Sequence, residues 1–225
     1  VVLHAQVDAT SYDGTMTTVT GSIPGETDEE VLVLGHLCEI GANDDASGCG
    51  LGLEIMRALQ QLISAGKLPK PRRGIRYHAG PECFGIMAFF SENKKIMHRI
   101  IAGICMDMVG ENQSLCKTVT NVYKTPEPVP SYTNDLIYAV MEQAALGEKN
   151  FEWVQKRYLM MDNMICDPAM NIPTPSFCNL GDRFYHTNLD TPDKLDPHAL
   201  EIVGRAAASY LYFIADAGES EAAYI

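Results

Sequence analysis

Two rhythms of apolar residues alternate along this chain. Short apolar runs at Val31 to Leu34 and Ile100 to Met106 predict buried strands, and Gly74 to Ala79 predicts another between them. Helical spacing follows the first of them, where Leu51, Leu53, Ile55, Met56 and Leu59 predict a helix from Ala46 to about Ala65. The same spacing returns over Asp135 to Leu146 and Pro197 to Ala215. A short helix over Ile86 to Phe90 and a strand over Cys116 to Tyr123 fill two of the intervals. Ile172 to Cys178 reads as a short strand or extended lead-in, whose prolines suit only a sheet edge or a strand start.

Between these elements the chain is polar or proline-punctuated. At the start, β-branched runs at Val1 to Val7 and Met16 to Ile23 flank the turn pair Asp13-Gly14, which predicts a hairpin. Glu26 to Glu30 reads as an acidic, solvated lead-in. Gly66 to Arg73, Thr125 to Pro130, Asp162 to Asn171 and Gly181 to Leu195 read as loops. Strands alternating with helices imply an α/β fold with a sheet between helical layers.

Composition narrows the function classes. With 225 residues, 46% of them hydrophobic, the chain can bury one substantial core, and we expect a single domain over 1–225. A formal net charge of -12 with no run of Lys or Arg argues against a nucleic-acid partner. No apolar run is long enough to cross a bilayer, so no membrane partner is expected. Seven cysteines, an odd number without a CxxC pair, point to a reducing compartment, and a cytoplasmic location is expected. The chain opens on Val1 and shows no signal segment, so it is expected to be part of a longer one.

The polar residues at the strand ends carry the candidate chemistry. His36 follows the first buried run, Asp44 lies in the loop after it, Glu82 stands just past the second strand and Asp107 ends the third; His186 sits in the late polar loop. Two imidazoles and three carboxylates suit zinc, with manganese, cobalt or iron(II) possible by ligand type. Five ligands exceed one tetrahedral zinc with an open position, but they fit two metals if one carboxylate bridges.

The block GHLCEIGANDDASGCGLGLEIMRAL resembles the zinc-binding segment of the co-catalytic di-zinc aminopeptidases, whose clan also holds glutaminyl cyclases and the transferrin-receptor ectodomain. GPECFG, CMDMVG and YHTNLDTPDKL follow in the family's order, so the resemblance covers most of Val31 to Leu195. It is nearest to a bacterial aminopeptidase-like branch with similar HLC and single-glutamate motifs. The resemblance implies a mostly parallel, mixed sheet sandwiched between helices, the phosphorylase/hydrolase-like fold. It also implies two zinc ions, with His36 and Asp107 on one, Glu82 and His186 on the other, and Asp44 bridging. The implied reaction is hydrolysis of an N-terminal peptide or amide bond by di-zinc-activated water, with Tyr185 as a possible oxyanion donor.

Two departures from the family pattern bear on activity. Active members carry paired glutamates, the first a general base, where this chain reads Pro81-Glu82. Loss of a positioned base costs on the order of 10²- to 10⁴-fold unless it is replaced, and Glu39, His78 and Glu111 are the candidates. Family members also commonly read His-x-Asp, the Asp steadying the imidazole; here the triplet is His36-Leu37-Cys38, and Asp45, Asp190 or a backbone carbonyl are the expected compensations. Asp162 is a candidate to hold a substrate ammonium, and Arg183 a substrate carboxylate. The alternatives to an aminopeptidase are a catalytically silent metal-binding or interaction module and a glutaminyl-cyclase-type acyltransferase.

Overall fold

The computed structural model describes residues 1–223. Seven strands, β1 (Val19–Ile23), β2 (Glu30–His36), β3 (Gly74–Gly80), β4 (Ile100–Asp107), β5 (Thr120–Tyr123), β6 (Trp153–Lys156) and β7 (Ser176–Cys178), form one sheet in the order β1-β3-β2-β4-β7-β5-β6. The pairs β3–β2, β2–β4, β4–β7 and β5–β6 are parallel; β1–β3 and β5–β7 are antiparallel. This is the mostly parallel, mixed sheet expected. The helices are α1 (Ala46–Ser64), α2 (Phe84–Glu92), α3 (Lys94–Met97), α4 (Gln113–Cys116), α5 (Thr133–Ala145), α6 (Pro197–Asp216) and α7 (Glu219–Ala222).

The unbroken apolar run of β2 has a reason in this layering. Val31 and Val33 pack with Ile55 and Leu59 of α1 and Ile202 and Tyr210 of α6 on one face. Leu32 and Leu34 pack with Ile86 and Phe90 of α2 and with Ile165 on the other. Both faces are dry, so neither parity of the strand tolerates a polar residue. Tyr210, itself fully buried, donates its hydroxyl to the carbonyl of Gly103 at 2.8 Å and ties α6 to the centre of β4.

Four details differ from the sequence expectations. Residues 1–18 form no strand, and Val1, Val2, Leu3 and Val7 are exposed; the predicted hairpin is replaced by β1 alone, paired with β3. A β-branched run becomes a strand only where a free sheet edge meets it, and β3 accepts just Val19 to Ile23. The strand predicted from Cys116 begins at Thr120, because Gln113–Cys116 closes as a helical turn capped by Asn112. β6 was not predicted, since its short WVQK segment is mostly exposed and shows no alternation. Glu30 is part of β2 rather than of a solvated loop, and its carboxylate takes a two-point ion pair from Arg76 of β3. The prolines before β7 serve as strand-start acceptors: the carbonyls of Pro173 and Pro175 receive Gly103 N and Cys105 N.

The chain leaves β2 toward β3 on one side and returns to β4 on the other. Diverging connections open a crevice at the carboxyl ends of these strands. His36 ends β2 in register with Gly80 of β3, and Asp107 ends β4. The topology therefore delivers both residues to one place.

Candidate metal centre

Asp45 organises the floor of the crevice. Its carboxylate is fully buried and accepts from His36 N at 3.0 Å, Gly48 N at 3.0 Å and Met108 N at 3.2 Å. It thus caps α1 and joins the end of β2 to the turn after β4. Gly48 permits this approach, since a Cβ there would overlap Met106 O and Asp45 Oδ1. Burial, with Asp107 close by, raises the proton affinity of Asp45 well above the ordinary carboxylate range. The preceding loop is held by Asp190, whose oxygens accept from Asn43 N and Asp44 N at 2.9 and 3.0 Å.

On this floor the side chains of His36, Asp44 and Asp107 each bring a ligand atom within 4.8 Å of the others, and all three are buried. A second group, Glu39, Asp44 and His186, meets the same criterion, as does a third, His36, Glu39 and Glu82. Asp44 belongs to the first two. Its Oδ1 lies 3.1 Å from His36 Nε2 and its Oδ2 lies 3.2 Å from His186 Nε2, one oxygen toward each imidazole. Asp44 Oδ2 and Asp107 Oδ1 are buried without a hydrogen-bond partner. Buried polar atoms that converge yet do not bond one another are what a cation would satisfy, and the nitrogen and oxygen donor set fits zinc.

The imidazole of His36 is held from behind by Asp162, whose Oδ2 lies 3.1 Å from Nδ1. Asp162 is buried in the 3-10 turn Asp162–Cys166, and its other oxygen accepts from Cys83 N at 2.6 Å. Asp162 is buried and directed at His36 and Cys83 N, not at open crevice where the sequence placed a substrate ammonium. It fills the position left by Cys38, ahead of Asp45, which is 3.7 Å from Nδ1 and bonds the backbone instead. Burial pulls the His36 proton affinity down, but the bonds to Asp162 and Asp44 outweigh it and push the pKa up to about 12. Burial also raises Asp107, to about 8. Cys38 has a different role: its sulfur accepts from Glu82 N at 3.2 Å.

Among the base candidates, only Glu39 stands in the site. Its Oε2 is 3.2 Å from His186 Nε2, and burial followed by the charge of Asp44 raises its pKa. His78 is buried against Phe89 with both ring nitrogens unpartnered, and burial lowers its pKa to about 4. Glu111 is fully buried in a separate cluster. Pro81 only turns the chain into α2, its carbonyl accepting Gly85 N. Tyr185 stacks on the His186 ring at 3.7 Å between centroids, and its phenol, pushed up to about 12 by burial and Asp44, remains a donor. Arg183 is exposed and lies 5.1 Å over the Phe184 ring.

Backbone conformation shares in this placement. Cys83, Met108 and His186 adopt left-handed φ of 57°, 53° and 56°. Each lies at or directly after a predicted ligand. Non-glycine residues hold such angles at a cost of order 1–3 kcal/mol, sustained by the packing around them.

Sequence reasoning missed Asp162 as the partner of His36 because 126 positions separate the two. It also separated Glu39 from the ligand set, although an acid three residues past a strand-end histidine is a legible signal.

The model of peptidase family M28 matches residues 18–211. No curated protein matches the sequence. Among solved structures, an aminopeptidase from Aneurinibacillus sp. superposes with a TM-score of 0.68 at 22% identity, over 90% of this chain and 48% of that one. A zinc aminopeptidase from Bacillus subtilis gives 0.69 at 18%, over 90% and 50%. Glutaminyl cyclase from Porphyromonas gingivalis gives 0.66 at 24%, over 87% and 77%. The chain thus spans about half the length of the two aminopeptidases.

Proposed function

The chain belongs to peptidase family M28, and from that premise we propose that it is a zinc-dependent hydrolase of N-terminal peptide or amide bonds, an aminopeptidase working with two zinc ions. The observation that carries this reading is Asp44, one carboxylate set between two imidazoles at 3.1 and 3.2 Å. His36 and Asp107 would hold one zinc with it, and His186 and Glu82 the other. When bound, the pair polarises the scissile carbonyl and lowers the pKa of water.

The chain's own groups supply the rest. Asp162 fixes the ring of His36 so that Nε2 faces the site. Glu39 takes the place vacated at Pro81: its carboxylate accepts the proton of the attacking water and returns it to the leaving amine. Partial burial and the neighbouring Asp44 raise its proton affinity above that of a free glutamate. Tyr185, stacked on His186, presents a protonated phenol to the developing oxyanion. The crevice along Cys38, Ile40 and Asn188 beside His186 offers about 540 Å³ for a substrate end.

Elemental analysis of the purified protein and turnover of aminoacyl chromogenic substrates test the reading. Chelator-sensitive cleavage with one to two zinc at the strand-end residues is expected. Bound zinc without turnover would assign the chain to silent modules, and ammonia release from an N-terminal glutamine peptide to cyclases. A zinc-replete preparation without metal would overturn the proposal. Glu39→Gln should lower kcat/KM by roughly 10²- to 10⁴-fold with zinc content unchanged.

A further inference from the structure

Behind the crevice lies a second cluster that the proposed reaction does not use. Glu111 in the turn after β4, Cys116 at the end of α4 and Asp182 in the loop before His186 place an oxygen, a sulfur and an oxygen within 4.8 Å of one another, and all three residues are buried. Neither carboxylate oxygen of Glu111 has a hydrogen-bond partner. Asp182 is only partly satisfied, accepting from Phe184 N at 2.7 Å and, at 3.4 Å, from Asn43 Nδ2.

No fixed positive charge answers these acids. Among the described residues, no Lys or Arg forms an ion pair with Glu111 or Asp182. Lys194 turns instead to Asp193 and to the Phe184 ring. A fully buried carboxylate without a donor is compensated by a proton or by a cation. The sulfur decides which cation would suit: calcium and magnesium take oxygen ligands alone, whereas a thiolate beside carboxylates selects zinc or its thiophilic relatives.

We propose that Glu111, Cys116 and Asp182 bind one thiophilic divalent cation of the zinc type at a site distinct from the strand-end pair. The cation ties α4 to the loop that carries His186, four residues beyond Asp182. Binding replaces the thiol proton of Cys116 and the carboxyl proton that burial keeps on Glu111 near neutrality, and both are released to solvent. Burial and the neighbouring Asp182 otherwise keep that thiol protonated, with a pKa near 12.

Titration of the metal-free protein with Cd²⁺ tests this through the ultraviolet sulfur-to-cadmium charge-transfer band. The experiment uses a Cys38→Ser, Cys83→Ser background, since those two thiols flank the strand-end site. A thiolate band with the amplitude of one sulfur–cadmium bond per chain is expected, lost in Cys116→Ser. Glu111→Gln, an isosteric change, should lose it too while the far-ultraviolet circular dichroism stays constant. Absence of the band in the background protein, its survival in Cys116→Ser, or unchanged affinity in Glu111→Gln would overturn the site and leave Glu111 a protonated acid. The strand-end ligand groups contain no sulfur, so cadmium taken up there shifts the titration axis but adds no thiolate band.

Discussion

Asp162 Oδ2 lies 3.1 Å from Nδ1 of His36, so a carboxylate from a turn 126 positions away holds the imidazole, while Cys38 accepts from Glu82 N instead. The pair is buried, and the second oxygen of Asp162 is committed to Cys83 N. Asp162→Asn should therefore lower metal affinity roughly 10- to 100-fold, measured by competition with a chromophoric chelator. Unchanged affinity would mean that His36 is steadied otherwise.

Gly48 sets how closely α1 approaches the end of β4. A Cβ at this position overlaps Met106 O, which is backbone and cannot step aside. Gly48→Ala should destabilise the protein by about 1–3 kcal/mol, a loss of several degrees in Tm for a chain of this size. Gly50→Ala on the same helix meets open space and should be neutral or slightly stabilising in the same thermal scan.

The metal-free protein should lose stability as pH rises from mildly acid to mildly alkaline. Glu111 is raised from 4.5 to about 9 and Asp107 from 3.8 to about 8, both first by burial. In the window between those values the folded state binds more protons than the unfolded state, so stability falls with pH. His36, raised from 6.5 to about 12, acts with the same sign above its ordinary value. Each group contributes a slope of at most about 1.4 kcal/mol per pH unit. Urea unfolding at about pH 5.5 and about pH 8 should show the difference, and Glu111→Gln should reduce it; a flat profile would refute the assignment.

Tyr210 anchors α6 to β4 through a single buried hydroxyl bond far from the crevice floor. Tyr210→Phe should cost about 0.5–1.5 kcal/mol by equilibrium unfolding without changing metal affinity. A change in metal binding would instead couple the last helix to the site.

Much of the fold was legible in the chain because burial leaves a periodic trace. The two-sided burial of β2 and β4 requires unbroken apolar runs, and the one-sided burial of α1 and α6 requires helical spacing. Two of the predicted ligands, His36 and Asp107, stood out because a polar residue at the end of such a run contrasts with what precedes it. Where burial is slight, as in β6 and residues 1–18, periodicity either vanished or misled.

Chain pairing across large separations was decided only in three dimensions. The sequence determined that His36 and Asp107 end buried strands and that Asp44 follows in the loop after the first; the strand order that makes those ends neighbours belongs to the sheet. Nor did the sequence determine that Asp162 backs His36, that Glu39 rather than His78 or Glu111 shares the crevice, or that Glu111, Cys116 and Asp182 meet behind it. Those relations depend on the packing of loops, whose directions are set by side-chain contacts and left-handed turns such as those at Cys83, Met108 and His186. A loop carries no repeating burial pattern, so its course is fixed by tertiary packing and leaves little trace in the order of residues.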